Sequence, residues 1–117
     1  MRRVVRRLLR SWSSRVAVEG HSMEPTLRPG DWLLVDPDAH RGRAPAAGEL
    51  VVVIDPRAPA RWLIKRVVGV AADGALALGG DNPAHAREAT LETVPPSSVT
   101  GRPWLRYWPP RRISRIG

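Results

Sequence analysis

The sequence contains no cysteine and no phenylalanine. The absence of cysteine excludes several kinds of functional site. Without cysteine there are no disulfides, no thiolate nucleophile and no cysteine-ligated metal. Apolar runs stay far below the roughly 20 residues that a membrane span requires, and arginine interrupts every stretch that resembles a secretion signal. The 117 residues fit one compact domain. Its core must come from Val, Leu, Ile, Ala and five Trp residues.

The net charge of +8 is distributed unevenly along the chain. Residues 1–15 carry six Arg and residues 102–115 carry five Arg, and neither segment contains an acid. Residues 16–101 hold all eleven acids against eight basic residues. Basic ends of this kind usually meet phosphate, in lipid headgroups or in nucleic acid.

Residues 2–12 have the periodicity of an amphipathic helix, with apolar residues at 4, 5, 8, 9 and 12 and Arg at 2, 3, 6, 7 and 10. Two interpretations are open: a helix lying on an anionic membrane surface, or a basic helix packed on the domain or frayed from it. We divide the chain into a basic amphipathic arm, 1–15, and a domain, 16–117. We expect either peripheral membrane association or a cytoplasmic location, with no transmembrane helix.

Beyond residue 15 the sequence consists of short β-type runs separated by Pro, Gly, Asp and Asn turn signals. Residues 39–48 and 83–98 are predicted to be loops. The predicted fold is mainly β: a small, coiled antiparallel domain preceded by one short helix. The predicted strands are 16–18, 32–35, 50–54, 62–70, 75–78 and 99–106.

The segment 20–27, Gly-His-Ser-Met-Glu-Pro-Thr-Leu, places a serine on a predicted bend. Gly20 permits unusual backbone angles beside Ser22, and Pro25 ends regular structure soon after it. A serine on such a bend presents its hydroxyl and its own N–H to a substrate carbonyl. Most serines in turns are structural, so this segment alone does not indicate catalysis.

Lys65 is the single lysine beside eighteen arginines, and it lies in the most apolar predicted strand. Arginine does not lose its proton in a protein, whereas lysine does when it is desolvated. Strand alternation places Lys65 on one face with Leu63 and Val67. Burial on that face would favour the neutral amine, which accepts the proton of a serine hydroxyl. The alternative is that Lys65 faces solvent and Leu63 lies at a sheet edge.

Three segments together resemble the signal peptidase I family. The serine box has the family pattern G-x-S-M-x-P-T-L followed by G-D: Gly20, Ser22, Met23, Pro25, Thr26, Leu27, Gly30 and Asp31. The lysine box, K-R-V-x-G, is Lys65, Arg66, Val67, Val68 and Gly69, and the third box is Gly80, Asp81 and Asn82. The tail, with Gly101-Arg102 and Trp108-Pro109-Pro110, is similar to the end of mitochondrial inner-membrane peptidases and their short bacterial relatives. One such bacterial group is the maturation protease of nickel-type superoxide dismutase.

The resemblance implies a serine endopeptidase that removes an N-terminal signal or pro-segment from a precursor protein. Ser22 would form an acyl-enzyme, Lys65 would act as general base, and the Ser22 N–H would stabilise the oxyanion. Some relatives add a hydroxyl two residues before the nucleophile, where this chain has Gly20. The substrate would bind as an extended strand, with small side chains at the first and third positions before the cut. No cofactor, metal or nucleic acid is implied; the supporting residues are Gly20, Met23, Pro25, Arg66, Gly80, Asp81 and Asn82.

The sequence departs from the family pattern after residue 82. Relatives carry a Ser-x-Asp-Ser-Arg stretch that supports the lysine, and residues 83–90 lack it. Glu88 or Thr90 would replace it only in part. The alternative function is therefore a catalytically impaired relative that binds a peptide or a membrane.

Three other interpretations are weaker. A Ser-His pair with His21 is disfavoured, because adjacent strand residues point to opposite sides. A self-cleaving repressor-type peptidase is disfavoured by the Met-x-Pro-Thr-Leu extension and by the lack of a DNA-binding domain. A nucleic-acid binder would use the terminal arginines, but Trp12 is the only aromatic residue among the N-terminal charges. His40 and His85 lie in predicted loops without metal-ligand spacing.

Overall fold

The computed structural model describes residues 2–85 and 92–116. Within them one helix precedes eight strands, all paired antiparallel, so the predicted mainly β fold is confirmed. Seven strands follow the order β1-β2-β7-β3-β4-β5-β6, and β8 pairs with β7. The elements are α1 Arg2–Ser13, β1 Arg15–Ala17, β2 Trp32–Asp36, β3 Leu50–Asp55, β4 Ala58–Val70, β5 Leu76–Gly79, β6 Glu92–Val94, β7 Val99–Trp108 and β8 Ser114–Arg115.

Strand β3 lies between β4 and β7 and is covered on both faces. This explains why its sequence is a continuous apolar run rather than an alternating one. One face packs into a first core of Val51, Val53, Val67, Leu76, Leu78 and Val94. The second core consists of Val18, Met23, Leu27, Leu33 and Leu50. The coiled sheet thus encloses two apolar clusters, and the second one holds the serine box.

The predicted loop 83–98 is wrong in part, because it contains β6 and the 3₁₀ helices Pro83–His85 and Pro96–Ser98. Strand β6 is only three residues long, too short for an alternating pattern to be visible. Tertiary packing defines it: Val94 pairs with Leu76 and is buried in the first core. Strand β4 also begins at Ala58, because a tight turn pairs Asp55 with Ala58.

Helix α1 packs on the domain through its polar side. Ser11 is fully buried, and its hydroxyl accepts a hydrogen bond of 2.9 Å from the Trp104 indole. The Arg7 guanidinium lies 4.2 Å above the Trp104 ring and 3.4 Å from the Asp36 carboxylate. Arg10 pairs with Asp38. The Trp12 ring also packs against Tyr107 of β7, with centroids 5.6 Å apart. The helix is therefore packed, as one of the two interpretations expected, but most of these contacts come from polar and basic residues.

The same pairing of terminal arginines with central acids occurs at the other end of the chain. Arg106 and Arg112 bind Asp31, and Arg102 lies 3.6 Å from Glu49. The basic ends and the acidic middle that the sequence shows are thus partly matched within the molecule. Much of the terminal charge that suggested a phosphate partner is used internally.

Candidate active site

The serine box is a loop anchored in the second core. Val18, Met23 and Leu27 are buried there, so the chain between them is fixed at three points. The base of the loop is closed by backbone hydrogen bonds between Val18 and residues 30 and 31, of 3.0 and 2.8 Å. Gly20 has φ +73°, in the left-handed region that favours glycine. Ser22 is held half-buried beside Met23.

The third box holds the main chain at Ser22. The Asn82 N–H donates to the Ser22 carbonyl at 2.9 Å, and the Asn82 side-chain amide donates to the His21 carbonyl at 2.9 Å. Gly80 lies so close to the main chain of Ser22 that a Cβ at position 80 would stand 2.6 Å from the Ser22 carbonyl oxygen. A side chain at position 80 therefore does not fit without movement of Ser22.

Asp81 connects all three boxes. Its carboxylate accepts two hydrogen bonds of 2.8 Å from Arg66 of the lysine box and one of 2.6 Å from the Thr26 hydroxyl of the serine box. Arg66 also donates to the Gly48 carbonyl at 2.8 Å. The hydrogen bonds from Arg66 are the main cause that holds the pKa of Asp81 below its usual value. They also raise the pKa of Arg66.

Asp81→Asn is expected to lower the free energy of unfolding by about 2 kcal/mol at neutral pH, because it weakens charge-assisted hydrogen bonds. The folded pKa of Asp81 lies below the unfolded one, so this stabilisation is complete above the unfolded value, about 3.9. It is lost as the pH falls through the lowered folded value. Urea unfolding of both proteins from neutral to acid pH checks this.

The matched control for that series is Glu19→Gln, which neutralises an exposed carboxylate. The difference in free energy of unfolding between wild type and Asp81→Asn should shrink in acid. The corresponding difference between wild type and Glu19→Gln should stay small at every pH. An Asp81→Asn difference that is unchanged in acid would show that the carboxylate charge does not stabilise the loop.

Asp31 supports the serine box from the opposite side. It is buried, and its carboxylate accepts hydrogen bonds from the Arg28 N–H at 2.9 Å, from Arg112 at 2.9 Å and from Arg106 at 3.3 Å. Arg106 donates to the Thr26 carbonyl as well, at 3.0 Å. The sequence places Arg106 and Arg112 in a basic tail, and no motif marks either of them as a support of the serine box.

Lys65 lies on β4 opposite Val51 of β3. Its neighbours Leu63 and Val67 contact the first core and Ile64 contacts the second, as strand alternation predicts. Strand β5 pairs with β4 only from Arg66 onward. In the described chain, residues 58–65 of β4 therefore have an open edge on that side, and Lys65 stands at the point where this edge begins.

Ser22 and Lys65 both line a groove of about 780 Å³. One wall is formed by residues 15–23 and the other by residues 60–65, with Trp32 and Val52 completing the lining. Over residues 2–85 and 92–116, neither the Ser22 hydroxyl nor its N–H has a hydrogen-bond partner, and no acid lies within salt-bridge distance of Lys65. The two residues needed for acyl transfer thus line one cavity, without competing hydrogen-bond or ion-pair partners among the described residues.

The remaining candidate residues lie outside this arrangement. His21 is exposed and pairs with Glu24. His40 has both ring nitrogens buried without a partner among the described residues, and burial is the main cause that lowers its pKa. Glu88 and Thr90 fall outside the described residues. Within the described ranges, no three His, Asp or Glu side chains are arranged to hold a metal ion.

Comparison with known proteins gives a family for this fold and site. The family model described as "Signal peptidase, peptidase S26" matches residues 4–78, which is more than half of the chain. The chain belongs to this signal peptidase family. The match includes Ser22 and Lys65 and ends before Gly80.

Curated relatives agree with this family assignment. The Arabidopsis thaliana protein "Mitochondrial ATP-independent inner membrane protease subunit 1b" is 31% identical, over 84% of this chain and 72% of its own length. The Danio rerio "Mitochondrial inner membrane protease subunit 2" is 31% identical, over 85% and 66%. The Xenopus tropicalis subunit 1 is 30% identical, over 80% and 68%. At the level of the family, this signal peptidase-type chain is a peptidase.

Proposed function

We propose that this peptidase is a serine endopeptidase in which Ser22 is the nucleophile and Lys65 the general base. The observation that carries the proposal is that both side chains line one groove, with no competing partners among the described residues. Lysine suits this role because it exists as a neutral amine when its surroundings disfavour the charge. The anchored loop and the third box supply the rigidity that a nucleophile requires.

The proposed reaction is acyl transfer in two steps. Lys65 takes the proton from the Ser22 hydroxyl as the oxygen attacks the scissile carbonyl, and the Ser22 N–H donates to the resulting oxyanion. The amide C–N bond then breaks, and the leaving amine receives that proton from Lys65. Water attacks the acyl-enzyme, with Lys65 again as base, and releases the carboxylate product and free Ser22.

We propose that the substrate is a precursor protein bound in an extended conformation and cut after an N-terminal signal or pro-segment. Two strand edges border the groove: β1, the first strand of the sheet order, and residues 60–65 of β4. Such edges present unpaired N–H and C=O groups that an extended peptide satisfies. The protease relatives are named for an inner membrane, which supports a membrane-associated location for this chain. None of the described helices is long and apolar enough to span a bilayer.

The direct test is covalent trapping of the nucleophile. Purified protein is incubated with a penem or an acylating peptide inhibitor, and the modified residue is located by mass spectrometry after proteolysis. Wild type should gain one acyl group on Ser22. Ser22→Ala should gain none, whereas Ser97→Ala, a change at an exposed serine remote from the groove, should react as wild type does.

The alternative is the catalytically impaired relative, a peptide- or membrane-binding module, which the missing Ser-x-Asp-Ser-Arg stretch favours. A folded wild-type protein that forms no adduct from neutral to alkaline pH would support that alternative. An adduct on another residue would contradict the proposed nucleophile.

A further inference from the structure

Helix α1 leaves an apolar surface uncovered. Val5, Leu8, Leu9 and Trp12 recur at helical spacing and form one stripe, here called the outer stripe. Leu9 is 68% exposed, Trp12 54%, Val5 52% and Leu8 39%. An amphipathic helix on a protein surface normally buries its apolar stripe and exposes its charges. Here Arg7, Arg10 and Ser11 make polar contacts with the domain. Trp12, at the end of the stripe, also packs against Tyr107 of β7, with the ring centroids 5.6 Å apart.

We infer that the outer stripe inserts into the interfacial region of a bilayer that contains anionic lipid. Residues 2–13 include five arginines and no acid. Arg7 and Arg10 pair with Asp36 and Asp38, and the three further arginines leave an excess of positive charge that complements a negative surface. Arg6 is exposed, and Arg10 keeps 56% of its side chain exposed while pairing with Asp38. Such long side chains reach headgroup phosphates while the apolar stripe lies deeper.

Charge also argues against a second copy of this chain as the occupant. Two outer stripes packed face to face would bring two helices with five arginines each into contact. Like charges at an interface oppose association. A surface of anionic lipid instead supplies both the apolar environment and the opposite charge.

The position of α1 would place the groove at the membrane surface. The helix ends at Ser13, and β1 begins two residues later with Arg15, which lines the groove. The Arg15 guanidinium lies 4.5 Å above the Trp12 ring, and Arg15 donates to the Trp12 carbonyl at 2.9 Å. One wall of the groove is therefore coupled to the outer stripe. This inference concerns lipid binding and does not depend on the Ser22–Lys65 chemistry.

The test uses the absence of cysteine, since one engineered thiol gives a unique label. Leu9→Cys is labelled with the environment-sensitive fluorophore NBD and titrated with vesicles of mixed phosphatidylglycerol and phosphatidylcholine. The control is Val70→Cys, at an exposed residue that ends β4. The label at 9 should shift to the blue and be quenched by spin-labelled lipid, and the label at 70 should not. Binding to vesicles of phosphatidylcholine alone should be weaker, by roughly tenfold or more.

An unlabelled pair tests the same inference without a fluorophore. Leu9→Glu should reduce sedimentation with the mixed vesicles by roughly tenfold, because a charge is inserted into the stripe, whereas Val70→Glu should not. Helix content by circular dichroism shows that α1 is intact in both. A label at 9 that does not respond to vesicles, or that shifts only as protein concentration rises without lipid, would overturn the inference. The second of these results would identify another copy of the chain as the occupant.

Discussion

Lys65→Arg is expected to slow acylation of Ser22 by roughly 10³-fold, the scale of lost general-base catalysis. Arginine keeps the positive charge and approximate length of lysine, but it does not release its proton in a protein. The variant therefore separates a lysine that acts as a base from one that merely supplies charge. The measurement is the rate of inhibitor adduct formation, followed by mass from neutral to alkaline pH.

Lys65→Met complements that variant, because it retains an unbranched chain without any ionisable group. Both variants should acylate far more slowly than wild type at every pH, since neither side chain can act as a general base. Arg41→Ala, which removes an 80% exposed arginine distant from the groove lining, should retain the wild-type profile. Thermal unfolding of each variant shows whether the fold is intact.

A chemical rescue makes this prediction sharper, again because the chain lacks cysteine. Lys65→Cys should be inactive, and its alkylation with bromoethylamine should restore an amine at nearly the lysine position and with it the reaction. Alkylation with iodoacetamide restores no amine and should restore no activity. A Lys65→Met protein that acylates within about threefold of wild type would contradict the assignment of Lys65 as base.

The sequence pattern predicted the elements whose signal is local. Strand β3 was visible as an apolar run, and β4 as a longer run containing the one lysine. Strands β6 and β8 lie outside the predicted strands, because they are short and lack the apolar run that marks the equally short β1. They exist through pairing with β5 and β7. Such short elements are defined by tertiary contacts rather than by periodicity.

Charge composition predicted where positive charge lies but not what it binds. The basic termini and the acidic centre were evident, yet only the folded chain brings Arg106 and Arg112 to Asp31. Likewise, amphipathicity predicts the two faces of α1, but Arg7 and Ser11 of the polar face contact the sheet together with Trp12 of the apolar face. A helical pattern does not predict which face packs on the domain when the domain offers contacts to both the polar and the apolar face.

For the candidate site too, the sequence predicts the residues involved but not the contacts between them. Motifs predicted which residues belong together, and the structure shows Ser22 and Lys65 along one groove; their chemical roles remain predictions. The contacts that link the boxes were not predictable from spacing. The two hydrogen bonds from Arg66 to Asp81 join positions fifteen residues apart, and the Thr26 contact spans fifty-five. Only the folding of β4, β5 and the serine loop makes these side chains neighbours.

Gly80→Ala is expected to reduce acylation of Ser22 by roughly 10²-fold while the sheet remains folded. The new Cβ would stand 2.6 Å from the carbonyl oxygen of Ser22 and 3.4 Å from its Cβ, so the residue that carries the nucleophile has to move. The Asn82 N–H bonds the same oxygen at 2.9 Å, and this contact would be disturbed as well. Overpacking of this kind costs about 1–3 kcal/mol of stability, which urea unfolding measures.

The adjacent glycine provides the matched control. A Cβ at Gly79 would meet a methyl group of Val68 at 3.2 Å, and Val68 is 51% exposed, so this side chain has room to shift. Gly79→Ala should therefore acylate within about threefold of wild type, although it adds the same atom one residue earlier. The difference in acylation rate between the two variants therefore reports the displacement of Ser22 rather than general damage to β5. Equal losses in both would mean that the close approach of Gly80 to Ser22 does not position the nucleophile.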